Sequence, residues 1–131
     1  MKLRIHRNSV RFRLGRSEVE RLLETGKIQE HVSFGPESAH RLWYTLELSE
    51  TEPEICAAFD CTNLRIVLPT RLARRWASSD EVGIEAAQDV GGGISGEQLQ
   101  VLIEKDFACL DHPEDNADAY PNPAQGNACP T

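Results

Sequence analysis

The sequence lacks any apolar run long enough to cross a membrane, and its first residues alternate charged and apolar side chains. A secretory signal peptide needs an unbroken apolar segment, so we expect none here. The expected location is therefore the cytoplasm, where cysteines such as the four in this chain are thiols or metal ligands more often than disulfides. Catalytic motifs are missing as well, because the four histidines are scattered and no Ser–His–Asp, Cys–His or Gly-x-Ser-x-Gly arrangement is present. We therefore favour a non-enzymatic role.

Basic residues are scarce in the second half of the chain. Residues 76–131 contain one lysine against eleven acidic residues, whereas residues 1–27 contain eight Lys or Arg against three Glu. The net charge of the whole chain is −7. DNA- and RNA-binding domains need a dominant basic surface, so this distribution argues against a nucleic-acid partner. It leaves room for a local anion site near the N-terminus.

Two stretches of the chain, residues 10–28 and 64–82, carry the same pattern 54 residues apart. Their apolar positions coincide without a gap at Val10/Leu64, Phe12/Ile66, Leu14/Leu68, Val19/Ala73, Leu22/Trp76, Leu23/Ala77 and Ile28/Val82. Arg11/Arg65 and Arg21/Arg75 also match. An internal repeat of this kind predicts two copies of one structural unit.

Each copy predicts a β-hairpin, a short helix and two further strands. In the first copy, apolar and charged residues alternate over 2–6 and 10–14, which predicts the hairpin. Ser17 and Glu20 have capping-box spacing at the start of the helix, and Gly26 ends it. The remaining predicted elements are strands over 28–34, 42–48, 55–60, 64–68, 82–86 and 99–104, and a second helix over 71–77.

We expect an α+β protein, mostly antiparallel β, that forms a single domain over residues 1–131. The first copy spans about 2–49 and the second about 54–105. The two copies would pair about a pseudo-twofold axis into a small closed barrel with two short helices, since closure removes exposed edges. Residues 106–131 have no periodicity, five acidic residues, no basic residue and four prolines, which predicts an extended tail packed over the barrel.

Two resemblances support this interpretation. Residues 64–86 run from Ile66-Val67-Leu68-Pro69 through a short amphipathic helix to Asp80-Glu81-Val82 and a strand. This order resembles the β–helix–β unit of swapped-hairpin AbrB-type regulators and related cradle-loop barrels. The opening MKLRIHRNSVRFRLGRSEVERLLETG, the FGP at 34–36, and the ending IEKDFACLDHPEDNADAYPNP with a late Cys129 resemble a family of small uncharacterised bacterial proteins. That resemblance implies a stand-alone single-domain protein and no assigned activity.

The tail holds the first candidate site, a metal site. Cys109 and His112 have ligand-compatible spacing, and with Cys129 they offer thiolate and imidazole groups that suit Zn²⁺ or another transition metal. A fourth ligand would come from His6, His31, His40 or Cys61. A Cys109–Cys129 disulfide and an inert buried thiol are the alternatives.

The second candidate is an anion site on the N-terminal hairpin. Alternation places one set of basic side chains on the face opposite the core, and Arg65 has the matching place in the second copy. The candidate residues are Lys2, Arg4, Arg11, Arg13 and Arg65. Such a cluster could hold a phosphate or carboxylate, because arginine pairs bidentately with both. The alternatives are a solvated sheet face and a face covered by the acidic residues of the tail.

These observations favour a non-enzymatic binding or interaction module whose partner is an unknown protein or a small anionic ligand. We expect no membrane partner and no nucleic acid, and the sequence leaves a homodimer open. The alternatives are a small metalloprotein with a transition metal on Cys109, His112 and Cys129, and a protein that binds a phosphate-like anion. Lys105, the one basic residue after Arg75, is interpreted as an ion-pair partner for nearby acidic residues.

Overall fold

The structure, a computed structural model, describes residues 1–91, 96–107, 118, 120 and 121. These residues form two α-helices and two mostly antiparallel four-stranded sheets, which confirms the α+β class. In chain order the elements are β1 (Lys2–His6), β2 (Ser9–Leu14), α1 (Arg16–Thr25), β3 (Lys27–Ser33), β4 (Arg41–Ser49), β5 (Cys56–Asp60), β6 (Asn63–Pro69), α2 (Thr70–Ala77), β7 (Gly83–Asp89) and β8 (Gln98–Lys105). The order and type of the predicted elements are confirmed.

Each sheet combines hairpins from both halves of the chain. Sheet A has the strand order β1-β2-β8-β7, and sheet B has the order β3-β4-β6-β5. In both sheets two antiparallel hairpins are joined by one parallel pair, β2 with β8 in sheet A and β4 with β6 in sheet B. Neither half of the chain therefore has a sheet of its own.

The prediction of a closed barrel is wrong. Among the described residues, no backbone ladder joins sheet A to sheet B. Where the edge strands β5 and β7 approach each other, the side chain of Gln88 takes the place of a ladder. Its Nε2 donates to the carbonyl of Ala57 at 2.8 Å, and its Oε1 accepts the Ala57 N–H at 2.7 Å. Because a side chain already satisfies both backbone groups of Ala57, the strands do not pair there.

One continuous apolar core is formed by both sheets and both helices. Its fully buried members include Phe12, Leu14, Leu22, Leu46, Ile66, Leu68, Trp76 and Ile103. Ile5 alternates with charged residues as a core residue would, but it is 60% exposed, because it lies near the end of the edge strand β1. Within the described part of the chain, no helix is long and apolar enough to span a bilayer.

Helix α1 begins at a different cap from the one predicted. Gly15 is the N-cap, and its N–H donates to the Glu18 carboxylate at 3.0 Å. Ser17 instead binds Asp118 of the tail, whose carboxylate accepts the Ser17 N–H at 2.9 Å and its hydroxyl at 2.8 Å. A carboxylate at the N-terminus of a helix accepts hydrogen bonds from N–H groups that have no partner within the helix, and its negative charge interacts favourably with the helix dipole. The tail residue therefore supplies the cap that the sequence pattern assigned to Ser17 itself.

Tyr120 is the second tail residue that contacts the domain. Its N–H donates to the Asp106 carbonyl at 2.7 Å, and its ring lies edge-on to Phe107 at 5.9 Å. The guanidinium of Arg16 and the ammonium of Lys105 lie 5.6 and 5.3 Å from the ring centre, which are cation–π distances. Lys105 is 5% exposed and donates to a backbone carbonyl rather than forming a described ion pair. The expected ion-pair role of Lys105 is therefore not observed among the described residues.

The turns of the β1–β2 and β5–β6 hairpins generate a first prediction. Arg7 and Cys61 have φ values of 53° and 55°, in the left-handed region where a side chain is costly. We expect Cys61→Gly to be more stable than Cys61→Ala by about 1 kcal/mol, because glycine adopts this conformation without the Cβ penalty. Arg7→Gly and Arg7→Ala form the matched pair in the other hairpin. Urea unfolding measures both differences, and an alanine variant as stable as its glycine counterpart would contradict the prediction.

The cap on helix α1 generates a second prediction. Hydrogen bonds from the backbone and then the side chain of Ser17 hold the pKa of Asp118 below its usual value. A carboxylate with a lowered folded pKa stabilises the docked tail above its unfolded pKa, and this contribution disappears as the pH falls through the folded value. We expect Asp118→Asn to weaken tail docking at about pH 6, and we expect its difference from the wild type to shrink as the pH falls through the lowered folded pKa.

The NMR signals of the Ser17 and Tyr120 backbone amides report whether the tail is docked. Ser17→Ala is the matched variant, because it keeps the backbone donor to Asp118 and removes only the hydroxyl. We expect Ser17→Ala to raise the pH at which half of the tail is docked. The rise should be smaller than the rise that loss of both Ser17 hydrogen bonds to Asp118 would cause. A difference between the wild type and Asp118→Asn that stayed constant down to low pH would show that the charge of Asp118 is irrelevant.

A candidate binding cleft at one end of sheet B

The parallel pairing of β4 and β6 places two connections side by side. Parallel neighbours begin at the same edge of a sheet, so the loop 34–40 before β4 lies next to the turn 61–62 before β6. The Trp43 N–H joins them by donating to the Thr62 carbonyl at 2.7 Å. A cleft of about 530 Å³ opens between them, lined by residues 34–36 and 39–42, Phe59 and the turn 61–62. We refer to it as the tip cleft.

The loop that forms one wall of the tip cleft is fixed by its own hydrogen bonds. The Phe34 N–H donates to the His40 carbonyl at 2.9 Å, and the His40 N–H donates to the Glu37 carbonyl at 3.0 Å. The Nδ1 of His40 accepts the Glu37 N–H at 3.3 Å. A Cβ added at Gly35 would lie 2.3 Å from this Nδ1, so the loop needs glycine there for the imidazole to fit. The wall is therefore shaped before any ligand arrives.

Two phenylalanine side chains that line the tip cleft are exposed to solvent. Phe34 is 75% exposed and Phe59 is 66% exposed. Phe59 lies opposite the buried Leu64 in the β5–β6 ladder, and residues paired across a ladder share a face of the sheet. Leu42, which also lines the cleft, lies opposite the exposed Val32 of β3. The tip cleft thus lies at the end of sheet B, where the core no longer covers the inner face of the sheet.

Arg41 brings an unused hydrogen-bond donor to the tip cleft. Its side chain is half-buried, and its Nε is shielded from solvent without an acceptor among the described residues. Buried donors are nearly always paired in folded proteins, so an unpaired one needs a reason. His40 is the neighbouring titratable residue in the wall, and no acidic residue is among those that line the cleft. Because Nε itself is covered, a group with acceptor oxygens would have to meet the outer nitrogens of the guanidinium, which are not among the covered unpaired atoms.

The predicted basic face is present on sheet A, but its charges have partners. Arg11 and Arg13 both approach the carboxylate of Glu104, at 3.4 and 2.8 Å, because β2 pairs with β8. Lys2 pairs with Asp106 at 2.9 Å. Arg4 lies directly opposite Arg11 in the β1–β2 ladder. Two carboxylates, those of Glu104 and of Asp106 at the start of the tail, therefore balance part of the charge of this face.

Arg65 does not join this basic face. It lies on β6 in sheet B, and its Nε pairs with Glu47 of β4 at 3.1 Å. The exchange of hairpins between the halves explains the separation, because equivalent strands of the two halves lie in different sheets. The structure thus brings together four of the five predicted anion-binding residues.

The predicted metal ligands Cys109, His112 and Cys129 lie outside the described residues. Within the described part, no three His, Cys, Asp or Glu side chains are grouped so that they could hold a metal ion. Two cysteines are described as free thiols, the half-buried Cys56 and the exposed Cys61. Burial is the main reason that the pKa of Cys56 is raised, with the nearby Glu52 adding to it.

The sequence indicated the tip cleft only in part, because His40 and Cys61 were named as possible metal ligands and FGP at 34–36 as a family motif, while Arg41 and Phe59 were missed. Phe34 and Arg41 stand at the ends of strands, where an apolar or charged residue carries no periodic signal of its own. The Gly35-Pro36 pair after Phe34 does indicate the end of a strand, and this is the end of sheet B at which the cleft lies. Phe59 is one of the alternating residues of its strand, and only the pairing of β4 with β6 brings it to the same place.

Comparison with known proteins gives one match. No curated protein and no solved structure matches this chain. Residues 1–124 match the model of a family described as "Family of unknown function (DUF7009)". This agrees with the resemblance of the opening and ending motifs to an uncharacterised family. Because the match covers nearly the whole sequence, the chain belongs to the DUF7009 family.

Proposed function

We propose that this protein is a non-enzymatic binding module that holds an apolar side chain of a partner protein in the tip cleft. One observation carries the proposal: Phe34 and Phe59, exposed to 75% and 66%, stand on the walls of the same concave site. Single exposed apolar residues are ordinary, but aromatic residues gathered around a concavity are typical of binding sites. Aromatic residues also supply much of the binding energy at protein interfaces.

The groups that line the tip cleft favour binding over a reaction. His40 serves the loop, since its Nδ1 accepts the Glu37 N–H. Cys61 occupies the strained turn position and is exposed. Acid–base or nucleophilic chemistry needs a nucleophile and a base held within hydrogen-bond reach of each other. The hydrogen bonds described around the cleft instead maintain the shape of its walls.

The two halves of the chain are proposed to be copies of one unit, as the repeat predicts. The element order is the same in both, and the first hairpins keep the same register, since Lys2 pairs with Arg13 and Cys56 with Val67. The left-handed turn residues Arg7 and Cys61 are 54 positions apart. The exchange of hairpins between sheets supports the resemblance to swapped-hairpin AbrB-type units. The net charge of −7 favours a protein partner over DNA.

The other two functional hypotheses have less support. A transition metal on Cys109, His112 and Cys129 stays a prediction, because these residues lie outside the described part of the chain. An anion on the basic face of sheet A also stays a prediction, and it would have to compete with the Glu104 and Asp106 carboxylates. The tip cleft requires no such displacement.

A fragment titration tests the proposed function. N-acetyl-L-phenylalanine amide, a neutral mimic of one aromatic residue in a protein chain, is added to the ¹⁵N-labelled protein. We expect the backbone amide signals of Gly35, Leu42 and Thr62 to shift, because these residues line the cleft. Phe34→Ala or Phe59→Ala should weaken the apparent affinity by about tenfold, since each removes one aromatic wall.

Ile5→Ala is the matched control, because Ile5 is 60% exposed but lies on sheet A. It should leave the titration unchanged. The variants at Phe34 and Phe59 should keep the free energy of unfolding within about 0.5 kcal/mol, because these side chains are outside the core. Shifts confined to another surface, or equal binding by wild type and both phenylalanine variants, would reject the tip cleft as the site.

A further inference from the structure

The tip cleft contains a half-buried arginine without a described partner, whereas the other described arginines that lack one, Arg7, Arg21 and Arg74, are exposed. Arg11, Arg13, Arg65 and Arg75 each have a carboxylate partner. Arg71 donates to the Pro53 carbonyl, and Arg16 lies against an aromatic ring. Arg41 is half-buried, and its shielded Nε has no acceptor among the described residues. A half-buried guanidinium is poorly hydrated, so an unpaired donor there favours an acceptor brought by a ligand.

We infer that Arg41 makes the tip cleft selective for the C-terminal carboxylate of a peptide that ends in an apolar residue. This inference rests on the proposed function and adds the chemistry of the ligand to it. The guanidinium fork matches the two oxygens of a carboxylate. Because Phe34, Phe59 and Arg41 line the same cleft, the charge and the apolar group of the ligand must lie close together.

The charges around the cleft agree with an anionic ligand. The described lining residues include Arg41 and His40 but no acidic side chain, so none of them competes for the guanidinium. Glu37 belongs to the same loop, but it is exposed and is not among the lining residues. A chain end supplies a carboxylate and a side chain on one residue. An internal Asp or Glu holds its carboxylate apart from the neighbouring apolar side chain, which suits a compact cleft less well.

The test compares three phenylalanine probes that carry a carboxylate at the chain end, carry none, or carry one on the side chain of an added residue. They are N-acetyl-L-phenylalanine, its amide, and N-acetyl-aspartyl-phenylalanine amide, each titrated into the ¹⁵N-labelled full chain. We expect the wild type to bind the first probe about tenfold more tightly than the amide, as a charge-assisted pair allows. The aspartyl probe should bind no better than the amide.

The variants assign the effect to one side chain. Arg41→Gln should bring the affinity for the acid down to that for the amide and leave the amide unchanged, while Arg41→Lys should keep part of the preference. Arg74→Gln removes the same charge from an exposed position of α2, away from the cleft, and should change nothing. Circular dichroism melts check that each variant is folded.

The outcomes separate the inference from the function on which it rests. Equal binding of acid and amide by the wild type would overturn the role of Arg41 and leave the apolar cleft in place. Equally tight binding of the aspartyl probe would overturn the selectivity for a chain end. Acid-specific shifts at Arg11 and Arg13 instead of the cleft would move the anion site to sheet A. If no probe shifts the cleft, the proposed function itself fails.

Discussion

The two parallel strand pairs are the constraint on which the rest of this structure depends. β2 pairs with β8 and β4 pairs with β6, and in both cases these are the two central strands of a sheet. Their inner residues, among them Phe12, Ile103, Leu46 and Ile66, are fully buried. A hairpin alone is marginally stable in water, so neither half could bury these side chains without the strands of the other. In sheet A the parallel pairing joins Val10 to Val101, so the segment of chain between its paired strands is far longer than the corresponding segment in sheet B.

The position of the tip cleft follows from the same pairing. Parallel strands start at one edge, so the connections that precede β4 and β6 meet there. Sheet A repeats the arrangement, because the Gln100 N–H donates to the Asn8 carbonyl as the Trp43 N–H does to that of Thr62. The two sheets differ in the residue types at this end. Ile5 of sheet A, for example, occupies the position that Phe59 has in sheet B, 54 residues later.

The local part of this fold could be predicted from the sequence, and the non-local part could not. Alternation and the helix-ending Gly26 located the strands and helices, because these signals act within a few residues. The closed barrel does not form, and at the β5–β7 edge nothing in the sequence shows that the Gln88 side chain will bind the backbone of Ala57. The cap at Ser17 failed because Asp118, about one hundred residues away, satisfies that residue. Phe34 and Arg41 carry no signal until β4 lies beside β6.

The same pairing explains why Arg11 and Arg13 of sheet A have a carboxylate partner while Arg41 of sheet B has none among the described residues. The basic N-terminal segment and the acidic C-terminal half contribute β2 and β8, and their alignment sets Glu104 beside Arg11 and Arg13. An external anion on that face would have to displace a carboxylate that is already in place, and exchange of one such pair for another gains little. In the sequence, Arg41 lies between the basic and the acidic segments, and in the structure it stands at the end of β4. The described residues that line the cleft beside it include no acidic side chain. Among the described residues, Arg41 is therefore the half-buried arginine without a carboxylate partner, which is why the proposed ligand is placed there.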